Sequence, residues 1–149
     1  MLTDILKLAF ASGIQVLRGE IEAYPNEADL WKTGGEIRNS AGNLALHQAG
    51  ALRYLVGSVL GGIAYERDRE GEFGRTGVPR AELLAEIDAA AEAVRRTLDG
   101  LSEEEMEREY PVDVGAGSIT TATFLVHLAM HTSWHNGQVN YHRRLLATD

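Results

Sequence analysis

The side chains best suited to chemistry lie near the C-terminal end, in a stretch that holds four of the chain's five histidines. On a helix with His127 at 0°, His131 lies near ~40°, His135 near ~80°, Gln138 near ~20° and His142 near ~60°. They form one stripe roughly 80° wide, and apolar residues lie on or beside it. The stripe should therefore face the interior, where polar groups need partners.

A metal ion is the simplest partner that several histidines can share. His131 and His135 are spaced i, i+4, so both imidazoles can bind one ion from adjacent turns. His47 is the only histidine elsewhere; it lies on the apolar side of its own predicted helix, which makes it the candidate third ligand. Three neutral imidazoles suit Zn²⁺, Ni²⁺ or another divalent first-row ion. Such a site keeps a position open, as catalytic sites do, and can activate a thiol, a water or a carbonyl oxygen.

Other interpretations of the stripe stay open. The histidines and Gln138 could form a metal-free network of hydrogen bonds in the core. His127 and His142 are each a candidate for a fourth ligand, for a residue that orients the ligands, or for an acid or base. Either one could equally be an ordinary hydrogen-bonded histidine of the core or its rim. Gln138, one turn after His135, is placed to orient a ligand or a bound water.

Composition narrows the class of protein. The formal net charge of −8 argues against nucleic acid as the main partner, because phosphate binding needs a basic face. The absence of cysteine excludes disulfides and thiolate ligands. No apolar run reaches the ~18 residues that span a membrane. The N-terminus lacks the basic region of a signal peptide, so we expect a cytoplasmic protein.

The apolar periodicity predicts four substantial helices and no strand. They cover about residues 2–23, 39–60, 79–100 and 120–146, with Ser118 or Thr120 as the cap of the last one. This pattern predicts one domain, residues 1–149, folded as an all-α four-helix bundle. Glycines 42, 50 and 57 inside the second helix indicate close approach of another helix, with a chance scatter as the alternative.

A long charged crossover, residues 63–77, separates the second and third helices. Its charged residues and glycines follow no clear period, which favours a solvated loop. The alternative is a functional cover over a pocket, since long loops in compact domains often have that role. Its four carboxylates are predicted to be solvated, although a general base from among them is conceivable: Glu66, Asp68, Glu70 and Glu72.

Two segments of the sequence resemble those of a known family. The run His131-Thr-Ser-Trp-His135-Asn-Gly-Gln138 resembles the HxxxHxGQ element of the DinB-like (YfiT-like) superfamily of metal-binding proteins. Gly42-Asn-Leu-Ala-Leu-His47-Gln resembles the segment that carries the family's first ligand. The likeness in helix order and length covers essentially the whole chain. The stretch from Arg67 to Phe73 is similar to a feature of one subgroup.

The resemblance implies an up-down-down-up bundle and a metal site of His47, His131 and His135, with Zn²⁺ or Ni²⁺ typical. It also implies a homodimer. Relatives include thiol-dependent S-transferases and a maleylpyruvate isomerase that use mycothiol, bacillithiol or glutathione. We therefore expect a metal-dependent enzyme of the thiol S-transferase or hydrolase type, with a small-molecule substrate and a low-molecular-weight thiol as a candidate co-substrate. The alternative is a non-catalytic protein in which the ion stabilises the bundle or dimer. His127 is extra relative to the family's minimal motif, which leaves the number of ligands open.

Overall fold

A computed structural model describes residues 2–148 of the chain, and in this range the fold is all-helical, as predicted. The only β pairing among these residues consists of two isolated bridges, Gly34 with Ile37 and Glu109 with Thr120. The α-helices are α1 (Leu2–Glu22), α2 (Ala41–Leu52), α3 (Arg69–Gly74), α4 (Arg80–Gly100), α5 (Glu103–Glu107) and α6 (Thr121–Leu146). A 3₁₀ segment covers Glu27–Trp31, and a π-helical segment covers Arg53–Ser58.

The four long helices pack around one core. Helix α1 contacts α4 and α6, and α2 contacts the same two helices. Every residue of α2 is buried, so this helix lies at the centre of the molecule. Apolar side chains from all four helices, among them Phe10, Leu52, Ile87 and Leu125, form the shared core. No helix within residues 2–148 combines the length and the apolar content needed to cross a membrane.

The second helix differs from the prediction. We expected one helix over residues 39–60, but the α-helical part ends at Leu52 and continues as the π-helical Arg53–Ser58. Gly57 in this segment lies close to α4, where a Cβ on Gly57 would lie 3.0 Å from Cβ of Ala93. The close approach predicted from the glycines is thus confirmed at Gly57, where a side chain would force Ala93 to shift.

Helix α2 begins at a capped terminus. Ser40 has extended backbone angles, and its hydroxyl accepts a hydrogen bond from the backbone N–H of Asn43. The same hydroxyl donates to Oδ1 of Asn43 at 2.7 Å. Since α2 carries His47, this cap fixes where the first histidine lies along the bundle.

Replacing Ser40 with alanine should therefore lower the free energy of unfolding by about 1 kcal/mol, the usual cost of losing an N-cap. Urea unfolding followed by circular dichroism would measure the loss. Ser40→Thr, which keeps the hydroxyl, is the matched control and should retain most of the stability. Equal stability of Ser40→Ala and the wild type would mean that the cap contributes nothing.

Candidate metal centre

Three histidines from two helices converge on one point. His47 comes from the middle of α2, and His131 and His135 come from adjacent turns of α6. One ring nitrogen from each lies within 4.8 Å of the other two. The Nε2 atoms of His131 and His135 are 3.0 Å apart. The ring of His47 lies 5.4 Å from that of His131 and 5.1 Å from that of His135, measured between centroids.

The donor set fits a divalent first-row ion. Metal–nitrogen bonds of about 2.0–2.1 Å place the nitrogens of a tetrahedral site roughly 3.4 Å apart, so small side-chain rotations would bring the three donors into range. Burial lowers the pKa of His131 to about 4, with further lowering from the neighbouring His135 and His47. Burial also lowers the pKa of His135. Both imidazoles are therefore neutral near pH 7, the form that binds metals.

Gln138 orients one of these imidazoles. Its Oε1 lies 2.6 Å from Nδ1 of His135. An amide oxygen only accepts hydrogen bonds, so Nδ1 of His135 carries the proton and donates it. This hydrogen bond opposes the effect of burial on the pKa of His135. The unprotonated Nε2 of His135 is then the atom that faces His131.

Glu72 also belongs to the centre, although the sequence pattern favoured a solvated carboxylate there and left it only as a conceivable general base. The crossover is not a solvated loop throughout, because Asp68 caps the short helix α3. Glu72 on this helix is only 5% exposed, and its Oε1 lies 3.1 Å from Nδ1 of His47. The expectation that Glu72 is solvated is therefore wrong, whereas Glu66, Asp68 and Glu70 are exposed as predicted. The one local sequence signal for helix α3 was Asp68, a good N-cap residue within a stretch that has no clear apolar period.

Glu72 is ionised in its buried position. Burial by itself would raise the pKa of this carboxyl group, but hydrogen bonds from His47 and Arg67 outweigh it and hold the pKa below its usual value. Arg67 donates from Nε to Oε2 and from Nη2 to Oε1, both at 2.9 Å. The side-chain amide of Asn43 fastens α3 to α2, since it donates to the carbonyl oxygens of Glu72 and Arg75.

The family is decided by comparison with known proteins. The model of the DinB superfamily matches residues 9–139, a range that holds all three clustered histidines and Glu72. The chain belongs to the DinB superfamily. The resemblance seen in the histidine motif is thereby confirmed. A search of curated proteins found no relative that matches this chain.

In this DinB-superfamily protein His142 does not join the cluster. It is buried, with Nδ1 2.6 Å from the hydroxyl of Tyr24 and Nε2 2.8 Å from the carbonyl oxygen of Lys32. The carbonyl can only accept, so Nε2 donates to it and Nδ1 accepts from the tyrosine. Both ring nitrogens are therefore engaged at the far end of α6, away from the candidate ion. The expectation that His142 is a ligand or orients one does not match this geometry.

His127 lies closer to the centre. It is exposed, one helical turn before His131, and its charge contributes to the lowered pKa of His131. The group of histidines that could share one ion does not include it. The structure thus brings together His47, His131 and His135, with Gln138 against His135.

Replacing His142 with phenylalanine should destabilise the protein but leave metal binding intact. The change leaves the Tyr24 hydroxyl and the Lys32 carbonyl without this partner, at a cost of about 2 kcal/mol in the free energy of unfolding. Denaturant unfolding of the metal-free protein would measure that cost, and elemental analysis would report the bound ion. A His142→Phe variant that folds but binds no ion would place His142 in the metal centre after all.

Proposed function

We propose that this DinB-superfamily protein is a divalent-metal-dependent enzyme of the thiol S-transferase or hydrolase type. His47, His131 and His135 hold the ion, for which Zn²⁺ and Ni²⁺ are the best candidates. The observation that carries the proposal is the convergence of three imidazoles whose nitrogens lie within 4.8 Å of one another. Three protein donors leave a coordination position for a substrate, the pattern of catalytic rather than structural sites.

The chemistry follows from the ligands and from what the chain lacks. When bound, a divalent ion supplies Lewis-acid activation of a thiol, a water or a carbonyl oxygen. The chain contains no cysteine, so a sulfur nucleophile must come from a separate low-molecular-weight thiol. In a transfer, the S–H bond of this thiol breaks and the proton leaves to solvent. A new S–C bond forms to the electrophilic carbon of a small-molecule substrate, and the leaving group departs with its bonding pair.

The finer architecture belongs to the same proposal. We propose the family's up-down-down-up order for the four long helices, and a homodimer as the assembly. Support for the homodimer comes from a row of exposed apolar side chains along α6: Met130 (66% exposed), Trp134 (69%), Tyr141 (63%) and Leu145 (67%). Contiguous exposed apolar surface commonly marks an interaction site. Sedimentation equilibrium of the wild type and Trp134→Glu would test the assembly: two chains for the first and one for the second.

The metal is tested on the wild-type protein. Elemental analysis after expression in zinc- or nickel-supplemented medium should find about one ion per chain. X-ray absorption should show three nitrogen donors and at least one ligand that the protein does not supply. An ion held by protein ligands alone would favour the non-catalytic alternative. A protein with no ion after supplementation would contradict both.

The reaction is tested separately. The metal-loaded protein is assayed with several low-molecular-weight thiols against carbon electrophiles, and with ester and amide substrates in the absence of thiol. Turnover that requires a thiol identifies an S-transferase, and turnover without one identifies a hydrolase. Loss of both activities on metal removal, with recovery on re-addition, would tie the reaction to the ion. Absence of turnover in every assay would contradict the proposed enzyme.

A further inference from the structure

We propose that Glu72 is a positioning residue, which together with Arg67 holds His47 in the tautomer protonated at Nδ1 and so presents Nε2 to the ion. The part that concerns the ion rests on the proposed function. The part that concerns the tautomer does not, since it follows from contacts among the chain's own residues.

The hydrogen bond between Glu72 and His47 can run in only one direction. A neutral imidazole carries one N–H group, on either nitrogen. Nδ1 of His47 lies 3.1 Å from Oε1 of Glu72, and an ionised carboxylate can only accept. The proton therefore resides on Nδ1, and the lone pair of the ring resides on Nε2.

The carboxylate of Glu72 itself cannot turn freely. Arg67 binds both of its oxygens at 2.9 Å, a two-point arrangement that fixes the plane of the carboxylate as well as its position. The guanidinium also compensates the charge of a side chain that is only 5% exposed. Hydrogen bonds from Asn43 to the backbone carbonyls of Glu72 and of Arg75, the residue directly after α3, hold the helix that carries Glu72.

The residues around this carboxylate leave room for it. Gly50, about one turn after His47 on α2, lies against the carboxylate of Glu72. A Cβ at that position would overlap Oε2 of Glu72 and lie 2.7 Å from its Cδ. The His47 ring also packs near the ring of Phe73, with 4.7 Å between the two ring centroids. The imidazole is thus confined by the carboxylate on its edge and by an aromatic ring beside it.

The two helices therefore orient their ligands with different groups. His135 on α6 donates Nδ1–H to a neutral amide, that of Gln138. His47 faces an anion, which also makes the imidazole a stronger donor to a metal. Loss of such a partner typically weakens metal binding about 10–100-fold. Glu72 thus contributes to the centre although it does not bind the ion.

The test compares Glu72→Gln with Glu70→Gln, a matched change at an exposed carboxylate of the same short helix. Long-range ¹H–¹⁵N spectra of histidine-labelled, metal-free protein report which nitrogen of His47 carries the proton. We expect Nδ1–H in the wild type and in Glu70→Gln, and a mixture of tautomers in Glu72→Gln, because an amide can donate as well as accept. A wild-type His47 protonated at Nε2 would overturn the proposal.

Zinc affinity supplies the second readout, measured by competition with a chromogenic chelator. We expect a loss of about 10–100-fold for Glu72→Gln and no change for Glu70→Gln. If Glu72→Gln fails to fold, Glu72→Asp, which keeps the charge but shortens its reach, should show the same two effects in smaller measure. Unchanged affinity together with an unchanged tautomer would refute the positioning role while leaving the metal site intact. A wild type that binds neither zinc nor nickel but shows Nδ1–H on His47 would instead refute the proposed function alone.

Discussion

Replacing His47 with alanine should abolish stoichiometric binding of a divalent ion. The variant keeps His131 and His135, whose Nε2 atoms are 3.0 Å apart, but loses the only donor from α2. Two imidazoles on one helix cannot surround an ion, so affinity should fall by more than about 100-fold, the upper end of what loss of a mere supporting residue costs. Isothermal titration of the metal-free protein with Zn²⁺ or Ni²⁺ would measure the change.

His47→Ala should also lose the stability that the protein gains from binding the ion. Suppose that an ion binds only the folded state and that its free concentration is 100 times the dissociation constant. It then stabilises the folded state by about 2.7 kcal/mol. This metal-dependent rise in unfolding temperature should be present in the wild type and absent in His47→Ala. Without metal, the two proteins should differ much less.

The matched control is His127→Ala. This histidine is exposed on the same helix as two of the ligands, and it lies outside the group that could share an ion. Its removal should leave the stoichiometry at about one ion per chain. If His127→Ala lost the ion while His47→Ala retained it, the ligand set would be wrong and the site would lie along α6 alone.

The proximity of the two candidate ligands on α6 could be predicted because helical geometry by itself brings residues four apart onto one face. His47 followed from elimination, as the only other histidine, and from the apolar pattern of its helix. The same reasoning could not separate His142 from the ligands. His142 lies on the same stripe as His131 and His135. A stripe along a helix of 26 residues, however, faces different parts of the protein at different positions along the helix. At the level of His142 those neighbours are Tyr24 and Lys32, whose positions depend on how the connector after α1 folds.

Glu72 shows the corresponding limit for the crossover. Local sequence places it among charged and glycine residues with no periodicity, where solvation is the ordinary outcome. Its burial depends on a guanidinium from Arg67, five residues earlier in the crossover, and on two features of α2: the His47 imidazole and the missing side chain of Gly50. The two contacts with α2 are tertiary, and local sequence does not encode them. The π-helical segment that follows α2 also lies at a tertiary contact, where Gly57 packs closely against Ala93 of α4.

Replacing Gly50 with alanine should destabilise the protein, although the same change in a helix usually stabilises it by about 0.5–1 kcal/mol. The new Cβ would overlap the carboxylate of Glu72, which can move aside only by giving up its hydrogen bonds with Arg67 and His47. The cost combines overpacking with the weakening of a buried ion pair, and we expect a net loss of about 3 kcal/mol in the free energy of unfolding.

Gly19→Ala provides the comparison. Gly19 lies inside α1, and a Cβ added there meets nothing within 4 Å. This variant should therefore gain the usual 0.5–1 kcal/mol or so, which makes the two changes opposite in sign for the same chemical substitution. Urea unfolding of both metal-free variants would measure the difference. Should Gly50→Ala prove as stable as Gly19→Ala, α3 would be free to move away from α2, and Glu72 could not fix the orientation of His47.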